Sequence, residues 1–125
     1  MKRQEFFEKW IEALPKFKQA VGMLRTGVRK FRYCCLGAAC VVANETGFMK
    51  IDLEAEQGNS ESLPIKLAKR LNITVSGSFK NYVEYKGKPY ISLVDLNDDA
   101  KANFKDIARI IREQLAAKNF EPYEW

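Results

Sequence analysis

The chain contains no histidine among its 125 residues. This absence excludes Ser-His and Cys-His nucleophile pairs, histidine general bases and metal sites with imidazole ligands. The glycine-rich phosphate loops GxGxxG and GxxxxGK[ST], and the GxSxG turn of hydrolases, are also missing. We therefore expect a protein that acts by binding rather than catalysis, with no cofactor and no metal.

Long hydrophobic runs are absent as well. No apolar stretch approaches the roughly 20 residues that a bilayer crossing needs, and the charged start MKRQEFFEKW lacks the apolar region of a signal peptide. The composition, 46% hydrophobic and 30% charged, is typical of a globular chain, and its length predicts one domain over residues 1–125. We expect a cytoplasmic protein.

Few residues remain that could ligate a metal or act as a nucleophile. Zinc sites usually need four convergent donors, but only Cys34, Cys35 and Cys40 are present, and adjacent cysteines point apart in an extended chain. A helix N-terminus could activate Cys35, yet free cysteine usually packs as a small hydrophobe, so we expect core positions. The run 97–99 (Asn-Asp-Asp) fits helix caps and turns, with a magnesium cluster as the alternative.

Helical periodicity and capping signals predict an α+β fold with about four helices. Apolar residues recur at helical spacing over 4–14, 35–46, 64–71 and 104–118. The expected ends are Pro15, Gly47 and Asn72. Ser92 and Asn103, each followed three residues later by aspartate, predict the starts of a one-turn helix and of the last helix.

Two short antiparallel hairpins complete the predicted fold. The first joins residues 23–25 to 28–33 through a turn at Thr26-Gly27, and the second turns at Lys86-Gly87. Residues 48–62 predict an acidic loop. The aromatic tail, residues 119–125, is expected either to pack on the domain or to contact a partner.

Charge is distributed unevenly along the chain. Residues 13–44 hold six basic residues and no acidic one, whereas residues 45–62 hold five acids and one lysine. Such a block is either a solvated face or a footprint for an anionic partner. Strand alternation places Lys30 and Arg32 together on the exposed side. The predicted ligand-binding residues are Arg25, Arg29, Lys30, Arg32, Gln19 and Tyr33, with arginine suited to phosphate and tyrosine to stacking on a base.

Two groups of residues resemble a family. The first group is Trp10, Ala13-Leu14, Gln19, Gly22, Leu24-Arg25, Tyr33-Cys34-Cys35-Leu36-Gly37 and Cys40; the second is Leu96-Asn97-Asp98, Phe104, Ile107-Ala108 and Ile111. Together they resemble a pattern found in small uncharacterised proteins of tailed bacteriophages and prophages. Val41 departs from this pattern, which often has an acid there. The resemblance implies a phage setting and supplies no mechanism.

The phage setting implies action by binding. We expect an accessory protein that binds an anionic partner, such as a nucleotide signal, and interferes with a host or defence process in the bacterial cytoplasm. One alternative is a protein–protein inhibitor of a host factor, which would use the basic hairpin or the aromatic tail. Another is a nucleic-acid binder, which the acids after the basic block weaken. No membrane partner is expected, and a homo-oligomer stays open.

Overall fold

The computed structural model describes residues 1–27, 30–56 and 61–124. Its helices are α1 (Arg3–Ala13), α2 (Cys35–Thr46), α3 (Leu53–Glu56), α4 (Ile65–Leu71), α5 (Leu93–Asp98) and α6 (Phe104–Ala116). Its strands are β1 (Arg25–Thr26), β2 (Arg32–Tyr33), β3 (Ser78–Tyr85) and β4 (Lys88–Ser92), which form two antiparallel pairs. The predicted α+β fold is confirmed, and four of these helices have seven or more residues.

Helix α1 is amphipathic and lies against α2. Its buried residues Phe6, Phe7, Trp10 and Ile11 face the core, and the Trp10 indole nitrogen donates a hydrogen bond to the Cys35 carbonyl, 3.0 Å away. That bond satisfies the one polar atom of a fully buried ring. The chain leaves α1 through a short 3-10 turn over Leu14–Lys16, since proline cannot continue the helix.

Helix α2 runs through the core, and its ends are those predicted. The sulfur of Cys34 accepts a hydrogen bond from the Gly37 amide at the N-terminus, and Gly47 adopts a left-handed conformation at the C-terminus. A Cβ on Gly37 would lie 1.8 Å from the carbonyl oxygen of Leu24. Only glycine therefore lets the chain before β1 pack directly on this helix.

The two hairpins differ in how well the sequence predicts them. The second turns at Lys86-Gly87 as expected, and both residues have positive φ, as a two-residue turn requires. The first pairs Arg25 with Tyr33 and Thr26 with Arg32, so the predicted turn at Thr26-Gly27 is wrong, because Thr26 lies within β1. Gly27 has φ 102°, and a Cβ there would meet the Lys30 carbonyl, so both its conformation and its packing require glycine.

Strand β2 has a second neighbour on its other side. The Tyr33 amide donates to the Lys18 carbonyl, and the Tyr33 carbonyl accepts from the Ala20 amide, at 2.8 and 2.7 Å. A parallel bridge joins Gln19 to Tyr33. The first hairpin is thereby anchored to the segment after α1. Residues 28 and 29, part of the predicted second strand, lie outside the described residues.

The acidic segment is more ordered than its composition predicts. Phe48, Ile51 and Leu53 are buried and α3 is helical, so the prediction of a loop throughout 48–62 is wrong. The Asn44 side chain holds the Ile51 backbone through both its oxygen and its nitrogen. Three apolar anchors among exposed acids suffice to fix the segment on the core. Residues 57–60, within this range, lie outside the described residues.

The described part of the C-terminal tail packs on the domain. Phe120 is buried and forms a bridge with Phe79, and the Tyr123 amide donates to the Asn72 side chain. The Lys69 ammonium lies 5.7 Å from the centre of the Tyr123 ring. Residues 119–124 therefore pack on the domain, which is one of the two roles predicted for the tail. Trp125 lies outside the described residues.

The close approach at Gly37 predicts a large cost for a single methyl group. Gly37→Ala forces the α2 backbone away from Leu24, and we expect a loss of about 3 kcal/mol or more in the free energy of unfolding. Urea denaturation measures this. Gly47→Ala is the control, because its Cβ meets nothing within 4 Å and only the positive φ is unfavourable, at about 1 kcal/mol. Equal losses in the two variants would contradict the close packing.

Candidate functional site

One face of the first hairpin carries a row of half-buried rings that ends in a cation. Phe17 packs edge-on against Tyr33 with ring centres 5.3 Å apart, and Tyr33 lies 6.4 Å from Phe31. The guanidinium of Arg25 lies over Phe31, 4.1 Å from the ring centre. We call these four residues the hairpin platform. Partly exposed aromatic faces next to a cation are the chemistry that stacks on a nucleobase.

The predicted basic residues do not all share this face. Because Arg25 pairs with Tyr33 and Thr26 with Arg32, strand alternation puts Arg32 on the opposite face. Arg32 and Lys30 are exposed. Arg29, the remaining predicted cation, lies outside the described residues. The structure thus brings Arg25 together with Tyr33 and separates both from Arg32.

A cavity of about 350 Å³ adjoins the platform at Phe17. Its other lining residues are Pro15, Gln19, Asn103, Phe104 and Lys105. This volume lies within the range of sites for small organic ligands. We call it the platform cavity. It was not predicted from the sequence, because its two walls are 84 or more positions apart in the chain.

The Gln19 side chain lines this cavity and also donates hydrogen bonds to the protein interior. Its amide nitrogen donates to the Asn97 side-chain oxygen at 3.1 Å and to the Ala102 carbonyl at 2.7 Å. Both amide hydrogens are therefore engaged, and the amide plane is fixed. The side-chain oxygen is the atom left for a ligand.

Asn97 is the centre of the polar network behind the platform. It is 1% exposed; its oxygen also accepts from the Cys35 amide, and its nitrogen donates to the Ala20 carbonyl and the Asp98 carboxylate at 2.8 Å each. The Asp98 carboxylate also accepts from the Gly22 amide. Asn97 and Asp98 lie within α5, and their side chains tie distant segments together, so the predicted capping role is wrong for these two residues. In residues 1–27, 30–56 and 61–124 no three cysteines, aspartates or glutamates could hold a metal.

The cysteines are buried, free and packed in the core, as expected. Burial raises the pKa of Cys34 to about 11 and that of Cys40 to about 12. Burial also raises the pKa of Cys35 well above its usual value, outweighing the hydrogen bond from the Leu36 amide. The N-terminus of α2 therefore leaves Cys35 a thiol rather than a reactive thiolate.

A larger cavity, about 750 Å³, lies elsewhere and was not predicted. It is formed around the start of α4 by Leu63, Pro64 and Ile65 together with Tyr123 of the tail. Glu56 and Glu124 also line it, and the one cation in the lining, Lys66, donates to the Lys50 carbonyl. Its charge is therefore unsuited to an anionic ligand. The exposed side chain of Ile65 gives this cavity an apolar surface.

The chain matches no known protein family, no curated protein and no solved structure. Nor does any helix in the described part of the chain have the length and apolarity to span a membrane. The assignment of a site accordingly depends on the geometry just described.

The Asn97 network predicts a strong and pH-dependent effect of one isosteric change. Asn97→Asp replaces a buried donor with an acceptor that faces the Ala20 carbonyl and the Asp98 carboxylate, and we expect a loss of about 3 kcal/mol or more at neutral pH. Protonation of the new carboxyl restores a donor, so the loss relative to wild type shrinks as pH falls. Urea unfolding at neutral and acidic pH measures both effects.

Asn81→Asp is the matched control, since Asn81 is exposed. We expect a change within about 0.5 kcal/mol for it. A loss in Asn97→Asp no larger than in this control would show that the network does not hold the segment after α1, the start of α2 and helix α5 together.

The raised thiol pKa values predict slow cysteine chemistry. All three cysteines should resist a thiol reagent in the native state and react only after unfolding in denaturant, which a colorimetric thiol assay counts. Thiols in the unfolded chain ionise near their usual value of 9.0, whereas folded Cys34 keeps its proton to about 11. Stability should therefore fall as pH rises above 9.0. One fast-reacting native thiol would contradict this account.

Proposed function

We propose that the chain binds a small anionic ligand carrying an aromatic ring, of the nucleotide class, at the hairpin platform and its cavity. The observation that carries the proposal is the row of half-buried rings ending in the Arg25 guanidinium, beside a cavity of about 350 Å³. Stacking of a base on an aromatic side chain contributes about 1–3 kcal/mol. Ligand-binding grooves are one of the surface roles that exposed apolar patches mark.

The charge around the platform suits an anion. The platform residues and the surrounding segment 13–44 contain no acid, and Lys105 lines the cavity from the α6 side. The Asp98 carboxylate contacts this segment, where it accepts hydrogen bonds from Gly22 and Asn97. Arg32, on the other face, and the exposed Lys30 add positive potential at longer range.

Two amide side chains supply hydrogen bonds for the edge of a base. The Gln19 oxygen is left as an acceptor, because both amide hydrogens are bonded internally. The Asn103 oxygen caps α6 by accepting from the Asp106 amide, which leaves its amide nitrogen as a donor. An acceptor and a donor at one cavity are the groups that read a base edge.

The resemblance to small phage proteins supports a biological role for such binding. A protein that sequesters a nucleotide signal would interfere with a host or defence process without any catalytic group. Inhibition of a host protein through the same surface, and binding of nucleic acid to the basic block, are the competing roles.

Calorimetric titration with adenosine and guanosine 5′-monophosphates tests the proposal. Tyr33→Leu removes the central stacking ring and should weaken binding by about 5- to 150-fold. Lys105→Gln should weaken it by about tenfold, and Arg32→Gln by less, because Arg32 lies on the opposite face. Lys88→Gln, an equal loss of charge on the second hairpin, is the control and should bind like wild type.

Several results would overturn the proposal. They are no binding of either nucleotide, or equal weakening by the Lys105 and Lys88 variants. Tight binding of an oligonucleotide instead, with affinity falling steeply as salt rises, would favour the nucleic-acid role. Thermal unfolding of each variant confirms that it remains folded.

A further inference from the structure

A second cavity, far along the chain from the platform, is lined by cations. It has a volume of about 200 Å³ and lies between the start of α1 and the ends of α4 and α6. Arg3, Lys80 and Lys118 line it, and no aspartate or glutamate does. Glu121, adjacent to two other lining residues in sequence, is exposed and is not part of the lining. Three positive charges thus surround one small space.

The guanidinium of Arg3 is held in a fixed position. Its Nε donates to the Leu71 carbonyl, and its central carbon lies 4.8 Å from the centre of the Phe7 ring. Its two terminal nitrogens donate to no described residue. A guanidinium positioned in advance in this way loses little entropy when it binds an oxyanion.

The two amide side chains of the lining add donors to the three cations. The Asn72 oxygen accepts from the Tyr123 amide, and the Gln114 oxygen accepts from the Asn119 side chain at 2.8 Å. These bonds orient both amides, and each amide nitrogen carries two N–H donors. Donors therefore outnumber acceptors among the polar side-chain groups that line this cavity.

We infer that this cavity binds a tetrahedral dianion, namely a sulfate or the phosphate group of a phosphomonoester. The cations and amide nitrogens supply charge-assisted and neutral hydrogen bonds to its oxygens. The volume lies below the range for a whole nucleotide, so this site differs from the platform cavity.

The lysine and arginine charges exceed what the nearby helix ends require. Helices α4 and α6 end at this cavity, and each C-terminus carries about half a negative charge. Three full positive charges therefore leave a net charge of about +2. Lys118 also has a positive φ of 54°, at a position after α6 where glycine is usual. Cationic capping alone would not need all three side chains.

Calorimetric titration of the full chain at about pH 8, where a phosphomonoester is a dianion, tests the inference. The probes are sodium sulfate, methyl phosphate and inorganic phosphate, each against sodium chloride at equal ionic strength. We expect the three oxyanions to bind and chloride not to bind. The double variant Lys80→Gln and Lys118→Gln should weaken sulfate and methyl phosphate by about tenfold or more, and Lys88→Gln should not.

The titrations with methyl phosphate and with sulfate distinguish a phosphomonoester from a free inorganic dianion as the ligand. Tighter methyl phosphate binding identifies a phosphomonoester, and tighter sulfate binding identifies the free inorganic dianion. No heat with any of the three oxyanions, or equal weakening by Lys88→Gln and by the double variant, overturns the inference. Thermal unfolding of the double variant verifies its fold, which the exposed lysines leave intact.

Discussion

The buried amide of Asn97 fixes the part of the structure on which the candidate site depends. One side chain at 1% exposure accepts from Gln19 and Cys35 and donates to Ala20 and Asp98. A buried polar group left without a partner costs about 1–3 kcal/mol. The four contacts therefore form together, and they hold the segment after α1, the start of α2 and helix α5 in one arrangement. The hairpin platform follows from it, because Gln19 and Ala20 flank β2.

Close backbone packing reinforces that arrangement. Gly37 admits the Leu24 carbonyl onto α2, and the Cys34 amide donates to the same carbonyl. Trp10 bonds to the backbone at the other side of the α2 N-terminus. The double cysteine is thus explained by packing: both thiols are buried at the crossing of α1, α2 and α5, and burial keeps them protonated.

Local signals in the sequence predicted the elements whose structure depends on neighbouring residues. The side chains of Ser92 and Asn103 each accept a hydrogen bond from the amide three residues later and so cap the starts of α5 and α6. Gly47 and Asn72 end α2 and α4 in the left-handed conformation. The Lys86-Gly87 turn follows from the same kind of short-range geometry. The buried cysteines follow from composition alone, since free cysteine packs as a small hydrophobe.

The features that sequence reasoning missed depend on contacts between distant residues. The stack of Arg25 on Phe31 and the pairing of Arg25 with Tyr33 occur in a hairpin that has the Lys18 and Ala20 backbone as a second neighbour of β2. Burial of Phe48 and Ile51 depends on Phe6 and Asn44, so composition alone predicted a loop there. The sequence predicted a cap at Asn97, because its partners Gln19, Ala20 and Cys35 are distant in the chain and local patterns do not indicate them.

Native mass spectrometry of freshly purified protein, before and after denaturation, tests the central claim most directly. The account predicts that added nucleotide monophosphate gives a mass of one protein plus one nucleotide, released on denaturation and reduced in Tyr33→Leu. A protein mass without adduct across a panel of nucleotides, or an adduct as abundant in Tyr33→Leu as in the wild type, would contradict the assignment of the platform as a nucleotide site.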